Sequence, residues 1–596
     1  MNRHVLIAIV GLTSTLLTSR ANAGGAALYD LQADALDPQA CGGQGCWTNH
    51  LRVTDLDGDG SLDILLANYA DFFSGNEDPE PLVLYTNDGS GAFSNASASA
   101  LGDYEGNLRQ VAVGDVDGDG SRDIFGPSGA GGAYVLFIND GSGVFTDEAD
   151  VRMPGGTYPQ GAAARMGDVD NDGDLDIFSA DGYSTNGPPF GHLYLNDGGG
   201  MFEELDGAIP DAITGDDIDD VEFFDADRDF DLDIFVNAHA GGLGSLWLND
   251  GAGGFAAGGT MPPPGPNSQY HYNATPCDVD NDGDLDMWID NTGGGYTEQL
   301  LINDGSAHFT DETNARVTGN QSEDDNGVIC VDIDHDGDFD AIVLSLGSPE
   351  RLLENDGTGN FTFVPNVFPG PTDCTLWGEV GDLDGDRRTD LVTTQGECSA
   401  LDEVYMADQA EPVDDRAPVI IAVESLGAVG AGESPVLRFA VSDNNVSDEG
   451  PRLARAYAKI DPEGAATELD ARSMGGDLFR VVLPAADGQI TFQVCAEDLA
   501  GNTACSDSET YGEGGGTDST TGTTGDGTGD TTGDSTGNTA TSGNDEVGTE
   551  GGTSDTAGTD DQGGCACNQT NEQGLGWTVL GLFGLFGLGL IPRRRA

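Results

Sequence analysis

The pattern that most limits what this chain can fold into is a short loop with aspartate at places 1, 3, 5 and 9, and it occurs seven times. The loops are Asp55, Asp57, Asp59 and Asp63; Asp115, Asp117, Asp119 and Asp123; Asp168, Asp170, Asp172 and Asp176; and Asp225, Asp227, Asp229 and Asp233. They continue with Asp278, Asp280, Asp282 and Asp286; Asp332, Asp334, Asp336 and Asp340; and Asp382, Asp384, Asp386 and Asp390. Carboxylates at alternate positions converge only if the backbone coils tightly, and glycine at place 6 of five loops supplies the turn. Phe230 and Arg387 replace that glycine in the fourth and seventh loops, which weakens the expectation there. The chain carries 105 acidic against 22 basic residues, so a single loop would read as a solvated acidic run. Seven coincidences of spacing instead argue for oxygen-only sites that suit a hard ion, Ca²⁺, with about five to seven ions expected.

The spacing also selects an architecture. An EF-hand needs a glutamate at loop position 12, where this chain has Leu66, Gly126, Ser179, Val236, Ile289, Val343 and Thr393. A parallel β-helix repeats every nine residues or so, whereas the first aspartates here lie 60, 53, 57, 53, 54 and 50 apart. That distance fits one four-stranded propeller blade per repeat. Each loop runs into a short apolar strand such as Asp63-Ile-Leu-Leu, and a second signature follows: LYTNDGSGAF, LFINDGSGVF, LYLNDGGGMF, LWLNDGAGGF, LLINDGSAHF and LLENDGTGNF. An apolar strand, an Asp-Gly turn and a closing Phe mark a β-hairpin. A blade therefore reads strand A, aspartate loop, strand B, variable connection, strand C, Asn-Asp-Gly turn, strand D. The hairpin occurs six times, not seven, and Ala27–Leu31 is an orphan strand that would complete the last blade and bury both open edges.

Loop and hairpin together resemble the FG-GAP/VCBS family of Ca²⁺-loop propellers, also found in integrin α-chain heads and cartilage-acidic-protein-like secreted proteins. The resemblance covers roughly residues 25–410. It implies that the aspartates named above are Ca²⁺ ligands, with a backbone carbonyl added from place 7. The expected fold class is all-β: a seven-bladed β-propeller over 24–412, an Ig-like β-sandwich over 413–512, a disordered stalk over 513–564 and a C-terminal hydrophobic anchor segment over 565–596. The sandwich rests on alternating strands such as VLRFAVSD and on DGQITFQVCAEDLAGNTACS, which resembles the closing strands of bacterial Ig-like modules. Its expected job is spacing and presentation.

Residues 1–23 read as a secretory signal: Arg3, the apolar run Val5–Leu17 and an Ala21-Asn22-Ala23 cleavage pattern. Export agrees with ten cysteines, of which Cys41/Cys46, Cys374/Cys398 and Cys495/Cys505 are close enough for local disulfides. Cys277 and Cys330 hold similar places in adjacent repeats and either pair between blades or are buried thiols. The stalk is dominated by Gly, Thr, Ser and Asp, which cannot bury enough apolar surface to fold. Cys565 and Cys567, the apolar stretch Leu575–Ile591 and Arg593–Arg595 follow in the order of a myxobacterial C-terminal surface-sorting signal, which implies processing and anchoring at the cell surface or outer membrane. A retained single span is the alternative.

Function classes narrow accordingly. A formal charge of −83 repels phosphate, and nucleic acid is not an expected partner. Of seven histidines none sits in HExxH, and no phosphate-loop pattern occurs, so no catalytic residues are assigned and the chain is not expected to be an enzyme. The leading expectation is Ca²⁺-dependent recognition of an extracellular protein or glycan; a structural surface-layer component and a carbohydrate-active enzyme are the alternatives. The A–B and C–D turns share one face of the ring. The variable connections take the other, with Tyr69, Phe72, Phe73, Tyr183, Phe190, Tyr270, Tyr272 and Tyr296 on them. His335, at place 4 of the sixth loop, is expected to face solvent.

Overall fold

The computed structural model describes residues 27–512, apart from 37–44, 70–78, 128–133, 155–160, 182–190, 211–215, 241–243, 264–270, 293–296, 371–373 and seven single positions. The expected signal, stalk and sorting segment, with Cys565 and Cys567, lie outside the described residues. Among the described residues, no helix is long and apolar enough to cross a membrane.

The repeats fold as a β-propeller whose sheets carry antiparallel ladders in the order the sequence pattern gives, the sixth adding Val317–Thr318 as a fifth, parallel outer strand. In the first, Thr48–Thr54 pairs with Asp63–Asn68, which pairs with Val83–Asn87 and then Phe93–Asn95. The same A-B-C-D ladder begins again at Ala112–Gly114, Gly161–Gly167, Asp216–Phe224, Ala274–Cys277 and Asp324–Val331. The seventh sheet starts at Trp377–Gly381, and its outer strand is supplied by the other end of the chain: Tyr29 pairs with Ala407 and Leu31 with Tyr405. The Tyr29 hydroxyl also donates to the Thr389 carbonyl at 2.9 Å. The orphan strand thus lies where the missing hairpin strand would have been.

Strands buried on both faces explain the near-continuous apolar runs. The core is divided into wedges, each between consecutive sheets. Leu65, Leu84, Val113 and Ile124 fill the first, and Trp377, Val392, Leu51 and Ile64 fill the one between the seventh sheet and the first. Trp247 and Trp288 are fully buried in two others, each contributing on the order of 2–3 kcal/mol of burial. Cys277 and Cys330 form a disulfide between the inner strands of the fifth and sixth sheets; Cys374–Cys398 and Cys495–Cys505 also pair. Cys46 is disulfide-bonded, while Cys41 lies outside the described residues.

Beyond residue 413, two sheets enclose a separate core of Leu437, Phe439, Val441, Ala458, Phe492 and Val494. This two-sheet module is no free spacer, as the sequence had suggested. Its Ala440, Met474 and Leu478 join the wedge between the third and fourth propeller sheets, and propeller and module form one compact unit.

Candidate metal centres

The seven loops share one hydrogen-bond plan. Both oxygens of the place-9 aspartate accept backbone N–H groups. One takes the N–H of place 2 in its own loop, as in Leu56 to Asp63 at 2.9 Å and Leu383 to Asp390 at 2.8 Å. The other takes the N–H of the hairpin asparagine, as in Asn87 to Asp63 at 2.9 Å; Ala407 replaces the asparagine in the seventh sheet, at 2.8 Å. In every loop but the third, place 1 accepts the N–H of place 6, as in Gly60 to Asp55 at 3.0 Å, Gly120 to Asp115 at 3.0 Å and Gly337 to Asp332 at 2.9 Å.

The fourth and seventh loops, which lack the place-6 glycine, coil the same way. Phe230 and Arg387 both take φ of 66°, and their N–H groups reach Asp225 at 2.9 Å and Asp382 at 2.8 Å. Such a φ costs a side-chain-bearing residue roughly 1–3 kcal/mol, which the loop's hydrogen bonds offset. Place 4 is left-handed as well, at Gly58, Gly118, Asn171, Arg228, Asn281, His335 and Gly385. Sequence reasoning missed this second turn, although Gly and Asn at place 4 of five loops were its signal.

Of the four carboxylates expected in each loop, the geometry of the first five brings three together: places 1, 3 and 9 in the first three loops, and places 1, 3 and 5 in the fourth and fifth. Within each of the sets Asp55/Asp57/Asp63, Asp115/Asp117/Asp123, Asp168/Asp170/Asp176, Asp225/Asp227/Asp229 and Asp278/Asp280/Asp282, oxygens lie within 4.8 Å of one another and could hold a metal ion. Burial is the largest cause of an upward push on the place-9 carboxyls: Asp63 to about 6, Asp123 to about 7, and Asp176, Asp233, Asp286 and Asp390 to about 8. Neighbouring aspartates add repulsion, which a bound cation would relieve. Both oxygens of Asp168 are buried without a hydrogen-bond partner. The donor set therefore fits a hard divalent ion.

The hairpin asparagine has a role the turn signature did not disclose. Asn87 donates its side-chain amide to the Leu62 carbonyl of its own loop at 3.0 Å and to the Leu383 carbonyl of the preceding loop at 2.8 Å. Asn139, Asn196, Asn249, Asn303 and Asn355 repeat this between successive repeats. Each loop is thus stapled to its neighbour.

The two-sheet module sits on this loop face. Of its seven basic side chains, five reach the propeller. Arg438 pairs with Asp231 and donates to the Phe230 carbonyl at 2.8 Å, and Arg480 lies 3.6 Å from Asp168. Arg472 donates to the Gly173 carbonyl at 3.2 Å, and Arg416 to the His335 carbonyl at 2.6 Å. Arg452 is buried and pairs with Glu379 at 3.2 Å, beside Arg52, which pairs with Glu449 of the module. His335 is consequently buried, its Nδ1 2.7 Å from the Asn444 amide, and does not face solvent. The first two loops differ: a Cβ on Gly60 or Gly120 would meet nothing within 4 Å. A cleft of about 610 Å³ separates them from the module. Of the eight aromatics expected on the opposite face, Tyr69 and Tyr272 are described, both half-buried; the other six lie outside the described residues.

Fold and loops define a β-propeller protein with repeated carboxylate sites. Residues 55–126, 123–179, 168–236 and 332–393 match the FG-GAP-like repeat family, and the chain is an FG-GAP repeat β-propeller protein. Cartilage acidic protein 1 of Xenopus tropicalis is 30% identical over 191 residues, which is 31% of this chain and 28% of that protein. The chain thus spans under a third of that relative's length. Among solved structures, the BP39L lectin from Burkholderia pseudomallei aligns with a TM-score of 0.44 at 12% identity, covering 62% of this chain and 98% of the lectin. The plexin A4 extracellular region aligns with a TM-score of 0.33 at 9% identity, covering 82% and 67%.

Proposed function

We propose that this protein is an exported Ca²⁺-binding recognition or adhesion protein, held at the cell surface or outer membrane through its C-terminal segment. Its seven successive sheets are read as a seven-bladed propeller and the two-sheet module as an Ig-like sandwich. Asp at places 1, 3, 5 and 9 holds Ca²⁺, and the ions are structural: they neutralise loops whose carboxylates are otherwise buried against each other. The protein acts by binding rather than by catalysis, because both oxygens of each place-9 carboxylate already hold the backbone together.

One observation carries the choice of binding surface. The sandwich covers most of the loop face, reaching it through Arg416, Arg438, Arg472 and Arg480, and its Arg452 and Glu449 pair with the propeller's Glu379 and Arg52. A large ligand, protein or glycan, then has the opposite face, where the connections vary in length and carry aromatic residues. The test is an array of glycans and extracellular proteins probed with wild type and with Tyr69→Ala plus Phe72→Ala. A specific ligand lost in the double variant, with Ca²⁺-dependent melting unchanged, supports the reading. Loss of binding through substitutions in the Asn-Asp-Gly turns instead would overturn it.

A further inference from the structure

Two stretches of the repeats read alike, FTDEADVR at 145–152 and FTDETNAR at 309–316. Each is an outer strand running into a one-turn helix, Ala149–Arg152 or Thr313–Arg316, that ends on an arginine. Both arginines make the same three contacts. Nε pairs at 2.6 Å with the glutamate four residues back, Glu148 or Glu312. Nη1 donates to a turn carbonyl of the next sheet's hairpin, Gly199 at 2.7 Å or Thr358 at 2.9 Å. Nη2 donates to Oδ2 of the place-3 aspartate, Asp117 at 3.4 Å or Asp280 at 3.2 Å. Oδ1 of each aspartate is buried with no hydrogen-bond partner. The second glycine of the hairpin turn makes room for the contact, because a Cβ on Gly200 or Gly359 would lie 2.4 Å from the arginine's Nη1. The first loop provides the contrast. A Cβ on Gly143 would lie 2.7 Å from that of Asp57, so this place-3 aspartate packs under its hairpin turn too, yet the helix Ser97–Ala100 has no basic residue in its last turn.

We propose that Arg152 and Arg316 are built-in counter-charges of the second and fifth loops: each holds one oxygen of the place-3 carboxylate, so these loops keep their coil without an ion and bind Ca²⁺ more weakly than they would with that carboxylate free. The inference rests on the Ca²⁺ reading of the loops. Three carboxylates with oxygens within 4.8 Å of one another repel, and a cation on one of them relieves part of the repulsion. The arginine is such a cation at all times. A Ca²⁺ ion held by Oδ1 of the same carboxylate would meet like charge at Oδ2, which lowers its affinity by about 10-fold. Glu148 and Glu312 offset this only in part: their side chains are 36% and 37% exposed against 16% and 18% for the arginines, so solvent screens them more. Their larger effect is to aim the guanidinium from one helical turn away.

The test uses the full chain and Ca²⁺ as the probe, with Arg152→Gln and Arg316→Gln singly and together. Equilibrium dialysis should show one site tightened about 10-fold in each single variant, two in the double variant, and the remaining sites unchanged. The melting temperature in excess EGTA should fall in every variant, because the counter-charge is gone, and should fall less in saturating Ca²⁺, where the ion replaces it. Arg152→Lys keeps the charge while losing the forked geometry, and should bind Ca²⁺ as weakly as wild type. A site weakened in the Gln variants would make the arginines supports that orient the carboxylate for the ion, and would overturn the proposal. So would an unchanged isotherm with melting lowered equally in both conditions, the mark of a merely structural contact. Wild type that binds no Ca²⁺ at all would defeat the reading of the loops as well.

Discussion

The first two aspartate loops and the remaining five have the same sequence pattern and different surroundings. Asp55–Asp63 and Asp115–Asp123 border an open cleft, whereas the third, fourth and sixth loops lie beneath Arg480, Arg438 and Arg416. The difference shows that an internal repeat fixes the coordination geometry of a site but not its dielectric. Place 1 is buried in the third, fifth and sixth loops, at Asp168, Asp278 and Asp332, where burial pushes the carboxyls up to about 6, 6 and 8, and is half-buried at Asp225 and Asp382 of the fourth and seventh. Covered sites are therefore expected to hold their ions more tightly and to exchange them more slowly than open ones.

The largest expected effect is removal of the ions altogether. At ten times Kd each site would add about 1.4 kcal/mol, so several together rival the ~5–15 kcal/mol of an ordinary domain. Metal-free protein should melt far below the Ca²⁺-loaded form, with two phases of Ca²⁺ release in a stopped-flow chelator experiment, fast from open loops and slow from covered ones. A single phase would erase the distinction. The same ion-free protein should show an inverted pH dependence. Asp176, Asp233, Asp286 and Asp390 are raised from 3.8 to about 8 in the folded state, so the folded state binds more protons. Their contribution is fully present below pH 3.8 and is lost as pH rises through about 8. Calorimetry should show stability falling over that window without Ca²⁺ and not with it.

A smaller effect is expected from Arg438→Ala, which removes the pairs with Asp231 and Glu424. About 2 kcal/mol of lost charged hydrogen bonding is expected, with faster proteolysis between propeller and sandwich. Binding of Ca²⁺ to the first two loops should not change. The smallest effects come from place 6. Gly60→Ala should cost only about 1 kcal/mol of left-handed strain, because the Cβ meets nothing. Gly173→Ala should cost more, since its Cβ would lie 1.7 Å from Arg480 Nη1. Equal costs in thermal unfolding would mean that the third loop is not covered in solution.

Much of this was legible in the sequence. A repeated loop followed by a repeated hairpin dictates a repeated sheet, and the missing seventh hairpin pointed to Ala27–Leu31 as its substitute, of which Tyr29–Leu31 forms the strand. The convergence of places 1 and 3 followed from spacing, because they meet whenever the loop coils, whereas which of places 5 and 9 joins them differs between loops. The docking of the sandwich was not legible. It depends on single residues, Arg416, Arg438, Arg452, Arg472 and Arg480, scattered along strands and turns whose periodicity describes only their own core. His335 was misplaced for that reason: nothing local to the sixth loop signals that Asn444, 109 residues away, will cover it. The amide staples of Asn87 and its counterparts were hidden because a turn signature explains Asn before Asp-Gly without them.

The pairing of Tyr29–Leu31 with Glu403–Ala407 also orders events in time. During synthesis the N-terminal strand emerges first and must wait for nearly the whole ring before its partner exists. Closure of so long a loop is entropically costly and is not rewarded until the end, so the seventh sheet is expected to be the last to form. A ribosome that stops short of Glu403 releases a chain with two unsatisfied strand edges, ready to pair with those of its neighbours. In this molecule the length of the message is itself a checkpoint on aggregation.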